Sequence, residues 1–175
     1  RLEESRDRPV ASGLSGVHMA TGFTLSLKGR ALRLLTGREH SRAELERKLA
    51  VHEEEPGQLA KVLDELQAKD FISERRVVES VLNRRASRFG AARIRHELQG
   101  KGLQAEVVSA AVQSLKGSEA ERARGVWQKK FGSPAADAAE RGKQMRFLAA
   151  RGFGSDAIRR VVSGADEFSE DELSD

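Results

Sequence analysis

The sequence predicts an all-α fold of three tandem three-helix repeats stacked into an elongated, solenoid-like rod, and three observations predict it. One phrase is written three times: Leu66-Gln67-Ala68-Lys69-Asp70-Phe71, Leu98-Gln99-Gly100-Lys101-Gly102-Leu103 and Leu148-Ala149-Ala150-Arg151-Gly152-Phe153. Each reads as a helix end: Leu closes an apolar stripe, the base meets the electronegative terminus, and in the second and third copies the Gly after it can take the left-handed turn that stops the helix, a cap that Asp70 weakens in the first. The steps Leu49 to Leu98 and Leu98 to Leu148 set a period of about fifty residues, which is the spacing of a repeat protein. Finally, no stretch alternates as a strand would, and a chain 33% charged and 38% hydrophobic has the thin core of short helices in a row.

The elements follow in order. Residues 1–25 mix charge, Ser and Gly without apolar periodicity and read as a disordered arm. The first repeat, 26–72, opens with Leu27, Ala31, Leu34 and Leu35 on one helical face ending near Gly37. Ser41 with Glu44 forms a capping box before Leu45 and Leu49. After the break at Pro56-Gly57, Leu59, Val62, Leu63 and Leu66 mark the third helix.

The second repeat, 73–117, starts at Ser73 as N-cap and carries Val77, Val78, Val81 and Leu82. Arg88-Phe89-Gly90 ends that helix, Ile94 and Leu98 line the next, and Val108, Ala111, Val112 and Leu115 the third. In the third repeat, 118–163, Ser118 and Glu121 read as a second capping box before Ala123 and Trp127. Ser133-Pro134 is expected to start the middle helix, and Ser155 with Asp156 the last. Residues 164–175 form an acidic tail.

The chain's formal charge of +4 conceals a division. Six acids and no base lie in residues 163–175, so the other 162 residues carry +10. A basic body attracts nucleic acid or acidic protein, and an acidic tail can compete with either. Between Arg75 and Lys101 eight bases face only Glu79 and Glu97. Arg84, Arg85, Arg88, Arg93 and Arg95 around the Phe89-Gly90 corner are therefore the candidate partner-binding patch, with Lys101, Lys129 and Lys130 as lesser candidates. Phe71, Phe89, Phe131, Phe147, Phe153 and Trp127 occupy corners or inner helical positions and read as core, not as a base-stacking platform.

Other chemistry finds little support. Gly100 to Ala105 and Gly152 to Ala157 match a dinucleotide fingerprint, yet helices, not strands, feed both. No phosphate-binding loop motif is present. His18, His40, His52 and His96 lack metal-ligand spacing, and without Cys neither disulfides nor thiolate metal sites arise, so no cofactor is expected. With no apolar run approaching the roughly twenty residues of a membrane span and no signal peptide, a cytoplasmic protein is expected.

Taken together, Ala31-Leu32-Arg33-Leu34-Leu35, the run from Ser41 to Leu49, Arg88-Phe89-Gly90 with Ile94-Arg95-His96-Glu97-Leu98, and Phe147 to Phe153 resemble RecX, the bacterial regulator of the RecA recombinase. The resemblance spans roughly Leu27 to Val162 and implies an elongated, curved rod. It further implies binding to RecA filaments on DNA, restraint of filament growth, strand exchange and ATP hydrolysis, and no catalysis of its own. A monomer without small-molecule substrate is expected. The alternative is a sequence-nonspecific DNA-binding module, whose affinity would fall steeply with salt. An enzyme with an unrecognised site is a third reading, for which the residues name no substrate.

Overall fold

In the computed structural model, residues 24–164 are described, and all their regular structure is helical. Among the described residues nine α-helices run in chain order: α1 Leu27–Gly37, α2 Arg42–Leu49, α3 Gln58–Ala68, α4 Glu74–Arg85, α5 Ala91–Gly100, α6 Ala105–Leu115, α7 Glu119–Lys130, α8 Ala138–Ala150 and α9 Ser155–Ser163. The N-terminal arm up to residue 23, His18 included, and the acidic residues 165–175 lie outside the described residues.

Each group of three helices encloses its own core. Leu45, Leu49, Leu63 and Leu66 centre the first, Val77, Val81, Ile94, Leu98 and Val112 the second, and Ala123, Leu148, Phe153 and Ile158 the third. Burying such a side chain is worth about 1.5–3 kcal/mol, so each small core holds its three helices by a handful of contacts. Ser41 and Ser73 start their helices as the sequence predicts, their hydroxyls accepting from the Glu44 and Arg76 amides, and Ser26, which the sequence reading did not single out, caps α1 by accepting from the Gly29 amide.

Three expectations need correction. Ser118 does not cap α7: a 3₁₀ turn over Lys116–Ser118 runs straight into the helix, and the hydroxyl accepts from Arg122 Nε at 3.1 Å. Ser133-Pro134 does not open α8, because the cap is Asp137, whose Oδ1 accepts from the Glu140 amide at 2.7 Å. The buried Gln144 holds the preceding loop by donating to Ser133 O at 3.3 Å and accepting from Trp127 Nε1 at 2.8 Å.

The third correction concerns the repeated phrase. Its first copy ends α3, the last helix of the first unit, whereas the other two end α5 and α8, the middle helices of theirs. Asp70 takes φ 60° at that link between units, clamped by Arg76 through Asp70 O at 2.6 Å and Oδ2 at 2.9 Å. Phe71 beside it is 48% exposed and not core.

The second and third copies share glycines because they form the joints of the rod. The start of each middle helix docks on the end of the next unit's middle helix. Ser41 Oγ donates to Lys101 O, and an added Cβ on Gly102 would lie 2.6 Å from Ala43 Cβ. At the second joint Gly90 N donates to Arg151 O at 2.9 Å and Ala92 N to Gly152 O at 3.2 Å. A Cβ on Gly152 would lie 2.5 Å from Arg93 N. Both glycines also have positive φ, 71° and 82°. A carboxylate locks each joint: the buried Glu44 takes the Ser41 amide, Arg38 and Lys101, while the half-buried Glu119 takes the Ala91 and Gly154 amides.

Glu44 makes the first joint sensitive to acid. Burial alone would raise its pKa, but hydrogen bonds from Arg38, the Ser41 amide and Lys101 outweigh it and hold the carboxyl down at about 2. A depressed folded pKa adds stability that is full above the ordinary glutamate value and is lost as pH falls through about 2. We expect Glu44→Gln to cost about 2 kcal/mol near neutrality, less than the roughly 3 the full shift converts to, because the partly exposed Arg38 is screened. Urea midpoints of the two proteins should converge between pH 5 and pH 2; a constant difference across that range would contradict the assignment.

Candidate partner-binding groove at the second joint

The corner between α4 and α5 is built by a backbone turn. Arg88 N and Phe89 N both donate to Arg85 O, at 2.9 and 3.0 Å, and the extended Gly90 then carries the chain onto Arg151. From the third unit, Arg122 reaches under this turn and donates to Ala86 O and Phe89 O at 2.8 Å each and to Leu115 O at 3.2 Å. Desolvation by burial, opposed by nearby Glu119, lowers the pKa of this guanidinium from the usual arginine value. Arg122 is therefore a strut that fixes the corner, and its charge is already committed.

On this support stands a basic and aromatic surface. The half-buried Phe89 ring has the guanidinium carbons of Arg93, Arg85 and Arg88 at 5.4, 5.7 and 5.8 Å from its centroid. Across the joint, Arg151 lies 3.6 Å from the Phe147 centroid, and Phe147 meets Phe131 edge-on at 5.2 Å. Between the two rings runs a groove of about 380 Å³, lined by Ser87, Arg88, Phe89, Val126, Lys129, Lys130, Phe147 and Arg151. Four of these are cations and none is a carboxylate. Phe89 and Phe147 do pack against the second and third cores as expected, and their outer faces also interleave with bases here.

The predicted site residues divide accordingly. Arg88, Lys129 and Lys130 line the groove, and Arg85 and Arg93 flank Phe89. Arg85 is partly committed, its Nε lying 3.1 Å from Glu97 Oε2 in an ion pair too bent to count as a hydrogen bond. Arg84 folds onto its own helix, donating to Ser80 O at 3.1 Å. Arg95 is exposed two positions beyond Arg93, and residues so spaced do not share a helical face. Lys101 belongs to the other joint, paired with Glu44 at 3.1 Å and only 13% exposed.

Sequence reasoning missed Arg151 and Phe147. Arg151 was legible only as the base of a helix-ending phrase, and the Arg88 and Phe89 that it faces in the groove stand some sixty residues earlier in the chain. Such groups bind phosphate or carboxylate bidentately and stack on flat apolar faces. For metal chemistry the described residues offer nothing: no three His, Cys, Asp or Glu side chains gather. His40 is buried with Nδ1 3.1 Å from Arg38 O, and desolvation lowers its pKa. No helix among the described residues is long and apolar enough to cross a membrane.

Family models for the first, second and third three-helix domains of RecX match residues 28–66, 73–112 and 118–162. A protein of Leptothrix cholodnii named "Regulatory protein RecX" is 56% identical over 142 residues, 81% of this chain and 90% of that one. Another of that name from Ralstonia nicotianae is 47% identical over 147 residues, 84% and 92% of the two chains. Among solved structures, RecX from Lactobacillus salivarius aligns with a TM-score of 0.67 at 19% identity, covering 81% of this chain and 95% of that one. A crystal structure titled as regulatory protein RecX aligns at 0.65 and 17% identity, covering 79% and 71%. These two likenesses speak for the fold alone. Three family domains matched in order along most of the sequence, and relatives sharing about half its residues across nearly their whole length, place this chain in the RecX family.

Proposed function

We propose that this protein is a regulator that binds RecA filaments on DNA and restrains filament growth, strand exchange and ATP hydrolysis by occupying a filament surface. The observation that carries the reading is the groove at the second joint, where Arg88, Lys129, Lys130 and Arg151 converge beside Phe89 and Phe147 without a carboxylate in the lining. Cations over half-buried rings suit acidic protein surface backed by apolar side chains. A rod of units, taken as 26–72, 73–117 and 118–163, offers several such contacts along a polymer. The protein would act as a cytoplasmic monomer, with no substrate of its own.

A second reading, sequence-nonspecific DNA binding, draws on the same cations and rings, since phosphates and bases meet such groups too. The two readings part on salt. Purified protein should lower RecA's DNA-dependent ATPase in a saturable way; ATP turnover unchanged at saturating protein would contradict the filament reading.

A further inference from the structure

We propose that the acidic segment 165–175 docks back into the cation-lined groove between the second and third units, so that the chain carries its own competitor for that surface. Three observations support it. The groove presents four cations and no lining carboxylate, an unbalanced charge within reach of the segment. Residues 165–175 carry Asp166, Glu167, Glu170, Asp171, Glu172 and Asp175 and no base, the complement of that lining. The path is also short. Gly164, where α9 ends, lines a hollow with Trp127 and Gln128 on one side of α7, and Lys129 and Lys130 on the same helix line the groove.

Gly164 and the groove thus lie on different sides of one helix, whose width is roughly 10–12 Å. Eleven residues reach as far as about 36 Å when extended. A tethered segment of this length meets the groove at an effective concentration near millimolar, enough to populate a contact that free peptide would make only weakly. The attraction is between exposed charges and is therefore screened by salt. For the filament, and this consequence rests on the reading under Proposed function, a partner must displace the segment first, so strongly acidic partners gain over weak ones.

The chain has no cysteine, so Ser174→Cys accepts a single nitroxide on the 175-residue chain. In the ¹⁵N-labelled chain we expect several-fold paramagnetic broadening of the Val126, Lys130, Phe147 and Arg151 amides relative to those of α1. It should disappear at about 0.5 M salt, where the screening length falls to a few ångströms. It should also disappear with Lys129→Glu and Lys130→Glu together, whose unchanged amide spectrum elsewhere would report an intact fold. Groove amides broadened no more than those of α1 would overturn the proposal. So would broadening that survives salt, or that arises equally when spin-labelled ¹⁴N chain is mixed with unlabelled ¹⁵N chain, the mark of contact between copies. No recombinase is in the sample, so failure here leaves the filament reading standing, and an unaltered ATPase would leave this contact standing.

Discussion

Gly90→Ala is expected to cost about 2–4 kcal/mol, although its backbone conformation argues for a gain. At φ −79° and ψ 171° any residue is comfortable, and trading Gly for Ala in an allowed conformation ordinarily stabilises by about 0.4–1 kcal/mol through the unfolded chain. The steric term overrides this. A Cβ at Gly90 would lie 2.2 Å from Gly152 O and 2.3 Å from Phe153 N, both backbone atoms that no rotamer change can move aside. Relief requires parting the second and third units, which breaks the Gly90–Arg151 and Ala92–Gly152 hydrogen bonds and disturbs the Glu119 carboxylate that takes the Ala91 amide. Gly125→Ala is the control: it lies inside α7 with nothing within 4 Å of its added Cβ and should stabilise by about 0.5–1 kcal/mol. Urea unfolding followed by circular dichroism measures both. A Gly90→Ala protein within about 0.5 kcal/mol of the parent would mean that the units are not docked as described.

Reversing charge in the groove is expected to produce the largest functional loss. Arg88→Glu with Lys130→Glu converts two of the four lining cations to anions while leaving both cores untouched, since both side chains are exposed. Charges facing a complementary surface govern encounter and register, and like charges brought together cost several kcal/mol. The concentration needed to halve RecA ATPase should therefore rise by about tenfold or more, a change worth about 1.4 kcal/mol per decade. Arg95→Glu, on another face of α5, should shift it less than about twofold. Equal effects from the two variants would show that net charge, and not the groove, sets inhibition.

These two experiments also mark where sequence reading stops. Helices announced by Leu27, Ser41 and Ser73 were legible because stripe and cap are both local. Ser118 was not, since it closes a 3₁₀ turn tied down by Arg122, whose other donors reach carbonyls of the preceding unit. The phrase ending α5 and α8 looked like a helix stop and is also a docking surface, a role that shows only when Ala43 and Arg93 are seen against its glycines. For the same reason, a count of bases between Arg75 and Lys101 gathers side chains that the fold distributes over different places. It included Lys101, committed to Glu44, and Arg95, on another face, and it missed Arg151 from across the joint.

The most direct test of the central claim, that this rod works by lying on a protein-coated filament, is co-sedimentation at physiological salt with RecA–DNA filaments and with the same DNA uncoated. The account predicts that the chain pellets with filaments and stays in the supernatant with naked DNA, and that Arg88→Glu with Lys130→Glu stays in the supernatant with both. Equal pelleting with coated and naked DNA would contradict it and make DNA the partner.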